Sequence, residues 1–150
     1  MDLILWRHAE AEDGTPDSER ALTAKGIKQA ARMGKWLHAR LPEDALVLTS
    51  PARRARQTAR ALTADFKIMP ELALNAGPEE VLVAAGWPRG DRTVVVVGHQ
   101  PTFGETAALL LTGHKEEWGI KKGAIIWIAR RDREGATYTQ LRAVLSPDLL

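Results

Sequence analysis

The chain has 150 residues, 45% of them hydrophobic and 27% charged, with 21 Lys and Arg against 19 Asp and Glu. That length supports a hydrophobic core without covalent staples and sets the expectation of one domain spanning residues 1–150. The absence of cysteine excludes disulfide frameworks, thiolate nucleophiles and thiolate metal sites, and a net charge of +2 favours an anionic ligand without demanding nucleic acid.

In chain order, Leu3-Ile4-Leu5-Trp6 is an apolar run of buried-strand length that ends directly in Arg7-His8. Met1-Asp2 leads straight into it and no apolar run reaches membrane-spanning length, so a soluble, cytoplasmic protein without a membrane partner is expected. Residues 12–20, rich in Gly, Pro, Asp and Ser, read as a surface loop. Thr23 reads as the N-cap of a helix running to Leu41 and stopped by Pro42, with Ile27, Ala30, Ala31, Gly34, Leu37 and Leu41 as its buried face. Residues 45–49 form a second strand. Ser50-Pro51 follows as a helix start, with the hydroxyl as cap and proline in the first turn, and this helix is expected to reach Ala64.

A short strand at Lys67-Ile68-Met69 comes next, then a helix from Pro78 to Gly86. Thr93-Val94-Val95-Val96-Val97 is the pattern of a strand buried on both faces, as at the centre of a parallel sheet. It runs into Gly98-His99-Gln100-Pro101 and a helix over 102–111. Residues 124–129 and 137–145 then read as a hairpin joined by 130–135. Strands alternating with helices and closed by a hairpin predict a three-layer α/β/α sandwich with a mostly parallel central sheet. Trp6, Trp36 and Trp127 are expected in the core; Trp87 and Trp118 lie near loops, where core packing is favoured over lining a pocket mouth.

Three of the strands end in polar residues. Arg7 and His8 leave the first, Ser50 and an arginine-rich helix leave the second, and His99 leaves the valine strand. In a parallel sheet these exits share the carboxyl edge, where ligands bind. Two histidines, arginines and a helix N-terminus with no carboxylate cluster describe a seat for a phosphate-like dianion that requires no metal and no cofactor.

Arg7-His8-Ala9-Glu10-Ala11, the stretch from Ser50 to Ala59, and Gly98-His99-Gln100-Pro101 together resemble the histidine phosphatase superfamily, which includes phosphoglycerate mutases. The likeness is strongest to its small SixA-type phosphohistidine phosphatase branch, and it extends to Arg20-Ala21-Leu22-Thr23. The resemblance covers residues 1 to about 112. It implies that His8 is a nucleophile that becomes phosphorylated, that Arg7 and Arg54 clamp the phosphate, and that His99 is the pocket's second histidine. Arg20 matches a further phosphate contact. The chemistry is consistent with these types, because phosphoryl transfer is mostly positioning and charge stabilisation, and guanidinium forks hold phosphoryl oxygens bidentately. His8 has to be neutral to attack, with its other nitrogen expected to donate to a backbone carbonyl.

Position 9 is alanine where the larger relatives carry glycine. The roughly twenty residues between Pro70 and Thr93 are too few for a helical lid. Only Glu71, Glu79 and Glu80 are within reach by sequence as a proton donor. A short lid fits a phosphoprotein, above all phosphohistidine, better than a small sugar phosphate. A general small phosphoester phosphatase and a phosphate-binding module without turnover are the alternatives. Arg53, Arg56 and Arg60 read as a solvated helix face rather than a nucleic-acid surface, and His38 and His114 as surface residues.

Overall fold

In the computed structural model, which describes residues 1–150, six strands form one sheet in the order β3-β2-β4-β1-β5-β6. The elements in chain order are β1 (Asp2–Arg7), α1 (Ala24–His38), β2 (Leu46–Thr49), α2 (Arg53–Arg60), β3 (Lys67–Ile68), α3 (Pro78–Ala85), β4 (Thr93–Gly98), α4 (Thr102–Thr112), β5 (Ile125–Arg133) and β6 (Ala136–Leu145). β1, β2, β3 and β4 are mutually parallel where they pair, while β5 and β6 add antiparallel to β1. The expected three-layer sandwich with a C-terminal hairpin is the architecture observed.

Strand alternation assigns the layers. Leu3, Leu5, Val94 and Val96 face one way and pack with Val81 and Ala85 of α3 and Phe103 and Ala107 of α4. Ile4, Trp6, Val95 and Val97 face the other way, onto Met33 and Leu37 of α1 and Ala55 and Ala59 of α2. Continuous apolar runs in β1 and β4 follow from this burial on both faces. The chain therefore changes faces between α2 and α3 and returns to insert β4 between β1 and β2.

Several boundaries differ from the sequence expectation. α1 ends at His38, because Arg40 and Leu41 donate to the Leu37 carbonyl in a closing turn. Its buried face comprises Gly26, Ala30, Met33, Gly34 and Leu37, whereas Ile27 is 56% exposed and Ala31 also faces solvent. The buried stripe keeps Ala30, Gly34 and Leu37 and takes Gly26 and Met33 in place of Ile27 and Ala31, because Gly26 lets the Glu10 backbone approach. α2 begins at Arg53 and ends at Arg60. Ser50 does not cap it: the Ser50 hydroxyl accepts from Ala52 N at 3.2 Å in a local turn ahead of the helix. The hairpin turn is confined to Glu134-Gly135, so residues 130–133 continue β5, with a register irregularity between Trp127 and Ile128.

Trp6 and Trp127 are core residues, as expected. Trp36 is half-buried instead, edge-on to Trp127 with the Arg40 guanidinium 4.3 Å from its ring centroid. Asp2 is buried at the sheet's far end and accepts from Trp127 Nε1, Arg131 and Arg142. Burial alone raises its pKa, but those hydrogen bonds outweigh it and hold the carboxyl below its ordinary value. This cluster fixes β1 against the hairpin.

Gly26 connects α1 to the segment after His8. A Cβ at position 26 would collide with the Glu10 carbonyl, whose backbone also accepts from Thr23 N at 3.0 Å. Gly26→Ala is therefore expected to destabilise the fold by about 1–3 kcal/mol, the scale of overpacking. That outcome opposes the roughly 1 kcal/mol by which alanine favours a helix interior. A urea denaturation midpoint at or above wild type would refute the close approach.

Candidate active site

The parallel register sets the geometry of the carboxyl edge. Arg7 pairs with Gly98 and Thr49 with Val97, so His8, Ser50 and His99 leave three adjacent strands at one level. Backbone hydrogen bonds extend the ladder one residue past the strands, from His8 N to Gly98 O and from Ser50 N to Val97 O, each 3.0 Å. All three side chains are buried. The two imidazoles meet edge-on, with centroids 5.3 Å apart and planes at 60°.

His8 Nδ1 lies 2.8 Å from the Ala9 carbonyl, which can only accept, so Nδ1 carries the proton. Nε2 is left as the bare nitrogen and accepts from Arg54 Nε at 3.3 Å. The expected backbone carbonyl partner is thus present. Burial, aided by His99, Arg54 and Arg7, lowers the His8 pKa to about 3, and burial, aided by Arg54 and Arg7, lowers that of His99 to about 4. Both rings are neutral at pH 7.

Arg54 is 2% exposed, an unusual burial for a guanidinium, and every nitrogen is engaged. Its Nη1 donates to the Asp17 carbonyl at 2.9 Å and its Nη2 to Asp17 Oδ2 at 3.0 Å. Asp17 Oδ1 also accepts from Arg20 Nη1 at 3.1 Å. Arg20 is thus one carboxylate away from Arg54, and its Nε is held by the Glu12 carbonyl. Arg7 donates through Nη1 to Ile120 O at 2.6 Å, while its Nε is buried without a protein partner. His99 Nε2 lies 2.8 Å from Ser50 Oγ, and His99 Nδ1 is likewise buried and unpartnered. Unpaired buried nitrogens are rare because each forfeits its hydration, so each of these two calls for a polar partner that the chain itself does not supply.

Asp17 was not singled out from sequence. It sits half-exposed in a short 3-10 turn of what read as an ordinary loop, and its only signal is its place three residues before Arg20. Its slight burial works to raise its pKa, but hydrogen bonds from Arg20 and Arg54 prevail and keep it ionised. The segment 118–124 was missed as well. Ile120 O holds Arg7, Gly123 N donates to His8 O, and Trp118 O accepts from Gln100 Nε2 at 2.7 Å. Gly123, at φ +77°, allows that turn.

The other sequence candidates lie further out. Ala76 O accepts from Thr102 Oγ1, which places the start of α3, with Glu79 in its first turn, along the same edge. Glu79 pairs with Lys115 at 2.7 Å, and that hydrogen bond lowers its pKa. Glu71 and Glu80 are exposed, and Glu80 Oε2 accepts from Gly77 N. Arg53 and Arg60 are exposed and Arg56 is partly buried, while His38 and His114 lie at the surface.

The histidines destabilise the fold in acid. Below about pH 6.5 the unfolded chain protonates both rings, whereas the native protein refuses those protons until about pH 4 and 3. The unfolded state then binds more protons, so stability falls with decreasing pH over that window, by about 1.4 kcal/mol per unit for each histidine. Urea titrations at pH 7, 6 and 5 are expected to show this loss, and His99→Gln to reduce its slope. Equal stability at all three pH values would contradict the buried neutral pair.

A doubly wound sheet presenting paired histidines and arginines at its carboxyl edge places the chain among α/β proteins with a cationic site at that edge. The model of the histidine phosphatase superfamily (branch 1) matches residues 3–76, which hold Arg7, His8, Arg20 and Arg54. The chain is 38% identical over 109 residues to an uncharacterised protein of Mycobacterium tuberculosis, covering 69% of this chain and 68% of that one. It is 33% identical over 153 residues to an uncharacterised protein of Picosynechococcus, covering 93% and 89%. The solved structure of the protein histidine phosphatase SixA complexed with tungstate superposes with a TM-score of 0.82 at 27% identity, covering 99% of both chains. The chain belongs to the histidine phosphatase superfamily, in its SixA-type branch. Membership supports phosphatase activity.

Proposed function

We propose that this protein is a metal-independent phosphatase that removes phosphate from phosphohistidine in proteins, with His8 as nucleophile. The observation that carries the reading is the state of His8: neutral, with Nδ1 committed to Ala9 O and a bare Nε2 beside Arg54. In the first step Nε2 attacks phosphorus, the bond from phosphorus to the substrate nitrogen breaks, and the leaving imidazole takes its electron pair. Arg7, Arg54 through the Nη hydrogens that Asp17 leaves unused, and His99 hold the phosphoryl oxygens, with Arg20 assisting through the Asp17 bridge, and the guanidinium groups supply the positive charge. Water then attacks phosphorus, the bond to Nε2 breaks, and inorganic phosphate departs with His8 again neutral.

Two features support a phosphohistidine over an alkyl phosphoester. Asp17, held ionised by Arg20 and Arg54, and Glu79, held ionised by Lys115, are poor proton donors near the edge. An alkoxide leaving group needs such a donor, whereas an imidazole protonated from solvent does not. The segment from Pro70 to Thr93 forms only a 3-10 turn and the eight-residue α3, which leaves room for a protein-borne phosphate. The reading predicts turnover of a phosphohistidine peptide in the presence of EDTA, with kcat/KM at least about tenfold above that for phosphoserine peptides and small sugar phosphates. A preference for small esters would replace it with a general phosphomonoesterase, and phosphate binding without turnover would replace it with a recognition module.

A further inference from the structure

Ser50 does not cap α2, and its hydroxyl has a specific set of partners. The side chain is fully buried. Its Oγ accepts from Ala52 N at 3.2 Å and lies 2.8 Å from His99 Nε2. No other polar group is hydrogen-bonded to that oxygen. The neighbouring Thr49 Oγ1 donates instead to the Ser50 carbonyl.

A hydroxyl has one proton to donate, and a neutral imidazole has one nitrogen that donates and one that accepts. Were His99 Nε2 to carry the ring proton, Ser50 Oγ would accept twice and its own buried hydrogen would have no acceptor. His99 Nδ1 would then be a bare lone pair, the form that repels a phosphoryl oxygen under the phosphatase reading. Were Ser50 to donate, its hydrogen would be satisfied, Nε2 would be the acceptor, and the ring proton would reside on the unpartnered Nδ1. The second arrangement leaves no buried donor or acceptor of Ser50 unmet, and buried polar groups strongly prefer that outcome.

We propose that Ser50 is a positioning residue that donates to His99 Nε2 and thereby fixes the Nδ1–H tautomer, so that His99 meets a phosphoryl oxygen as a neutral hydrogen-bond donor. The assignment deepens the phosphatase reading and rests on it for the identity of the oxygen that Nδ1–H meets. The tautomer itself does not depend on that reading. His8 and His99 then have the same tautomer for opposite purposes. On His8, Nδ1–H is tied off by Ala9 O, which leaves Nε2, now accepting from Arg54 Nε, as the attacking nitrogen. On His99, Nε2 is tied off by Ser50 so that Nδ1–H is free to donate.

The test is 15N NMR of the imidazoles at pH 7, in which protonated and bare ring nitrogens differ in shift and in their two-bond couplings to the ring hydrogens. Wild-type protein is expected to show His99 protonated at Nδ1 alone; protonation at Nε2 would overturn the proposal before any variant is made. Ser50→Ala is expected to release His99 to a mixture or to Nε2–H and to lower kcat by about 10²-fold, the scale of losing one preorganised donor, with a smaller change in KM. Ser50→Thr, which keeps the hydroxyl, is expected to restore both the tautomer and most of kcat. A Ser50→Ala protein that retains pure Nδ1–H would also refute the role. A wild type with the expected tautomer but no turnover of any phosphorylated substrate would overturn the phosphatase reading and leave the Ser50 assignment standing.

Discussion

Replacing His8 with alanine is expected to lower turnover of a phosphohistidine peptide by about 10⁴-fold or more, the scale seen when a covalent nucleophile is removed. The expectation follows from the division of labour on the ring, with Nδ1 donating to Ala9 O and Nε2 bare beside Arg54 Nε. Alanine removes the attacking atom and leaves the backbone bond from His8 N to Gly98 O in place, so the strand exit persists. The accompanying measurement is a rapid acid-free quench of wild type with labelled substrate. It is expected to trap protein-bound phosphate that is stable to base and labile to acid, as a phosphoramidate is, and His8→Ala is expected to trap none. Near-normal turnover by the variant would sink the covalent mechanism.

Arg54→Lys is expected to reduce kcat by about 10³-fold despite the retained charge, at the lower end of the range for losing a transition-state arginine. Arg54 makes three directed contacts at once, from Nε to His8 and from Nη1 and Nη2 to Asp17. A lysine ammonium is a point charge on a flexible stem and cannot reproduce that planar fork. Because Arg54 is buried, the shorter donor set also leaves His8 Nε2 without its present partner. The distinguishing measurement is the ratio of effects on kcat and KM for the phosphohistidine peptide. A loss confined to KM would make Arg54 a ground-state anchor, and activity within tenfold of wild type would remove it from the transition state.

The two variants also separate charge from geometry. His8→Ala leaves the cationic seat intact and is expected to bind inorganic phosphate at least as well as wild type, whereas Arg54→Lys is expected to bind it more weakly. Isothermal titration with phosphate measures both without reference to turnover.

Much of this was legible in the sequence because the signals are local. An apolar run ending in Arg7-His8 and a valine run ending in Gly98-His99 specify buried parallel strands whose exits fall on one edge, since burial on both faces requires helices above and below. Other features were decided by contacts distant in sequence. The face of α1 differs from expectation at Ile27 and Ala31, because the Glu10 backbone packs against Gly26 and leaves those two side chains to solvent. Ser50-Pro51 has the form of a helix start, yet the hydroxyl goes to Ala52 N and His99. Hydrogen-bond partners 49 residues away leave no trace in local propensity.

The sequence by itself determined the layered fold, the identity of the residues at the three strand exits and the family they resemble. The tertiary structure alone decided their chemical state: which nitrogen of His8 is bare, that both histidines are neutral, that Asp17 bridges Arg20 to Arg54, and that residues 118–124 brace Arg7, His8 and Gln100. The physical reason is one of range. Strand and helix formation follow from side-chain period and volume along the chain, whereas protonation and tautomer follow from burial and from donors and acceptors that only folding brings together.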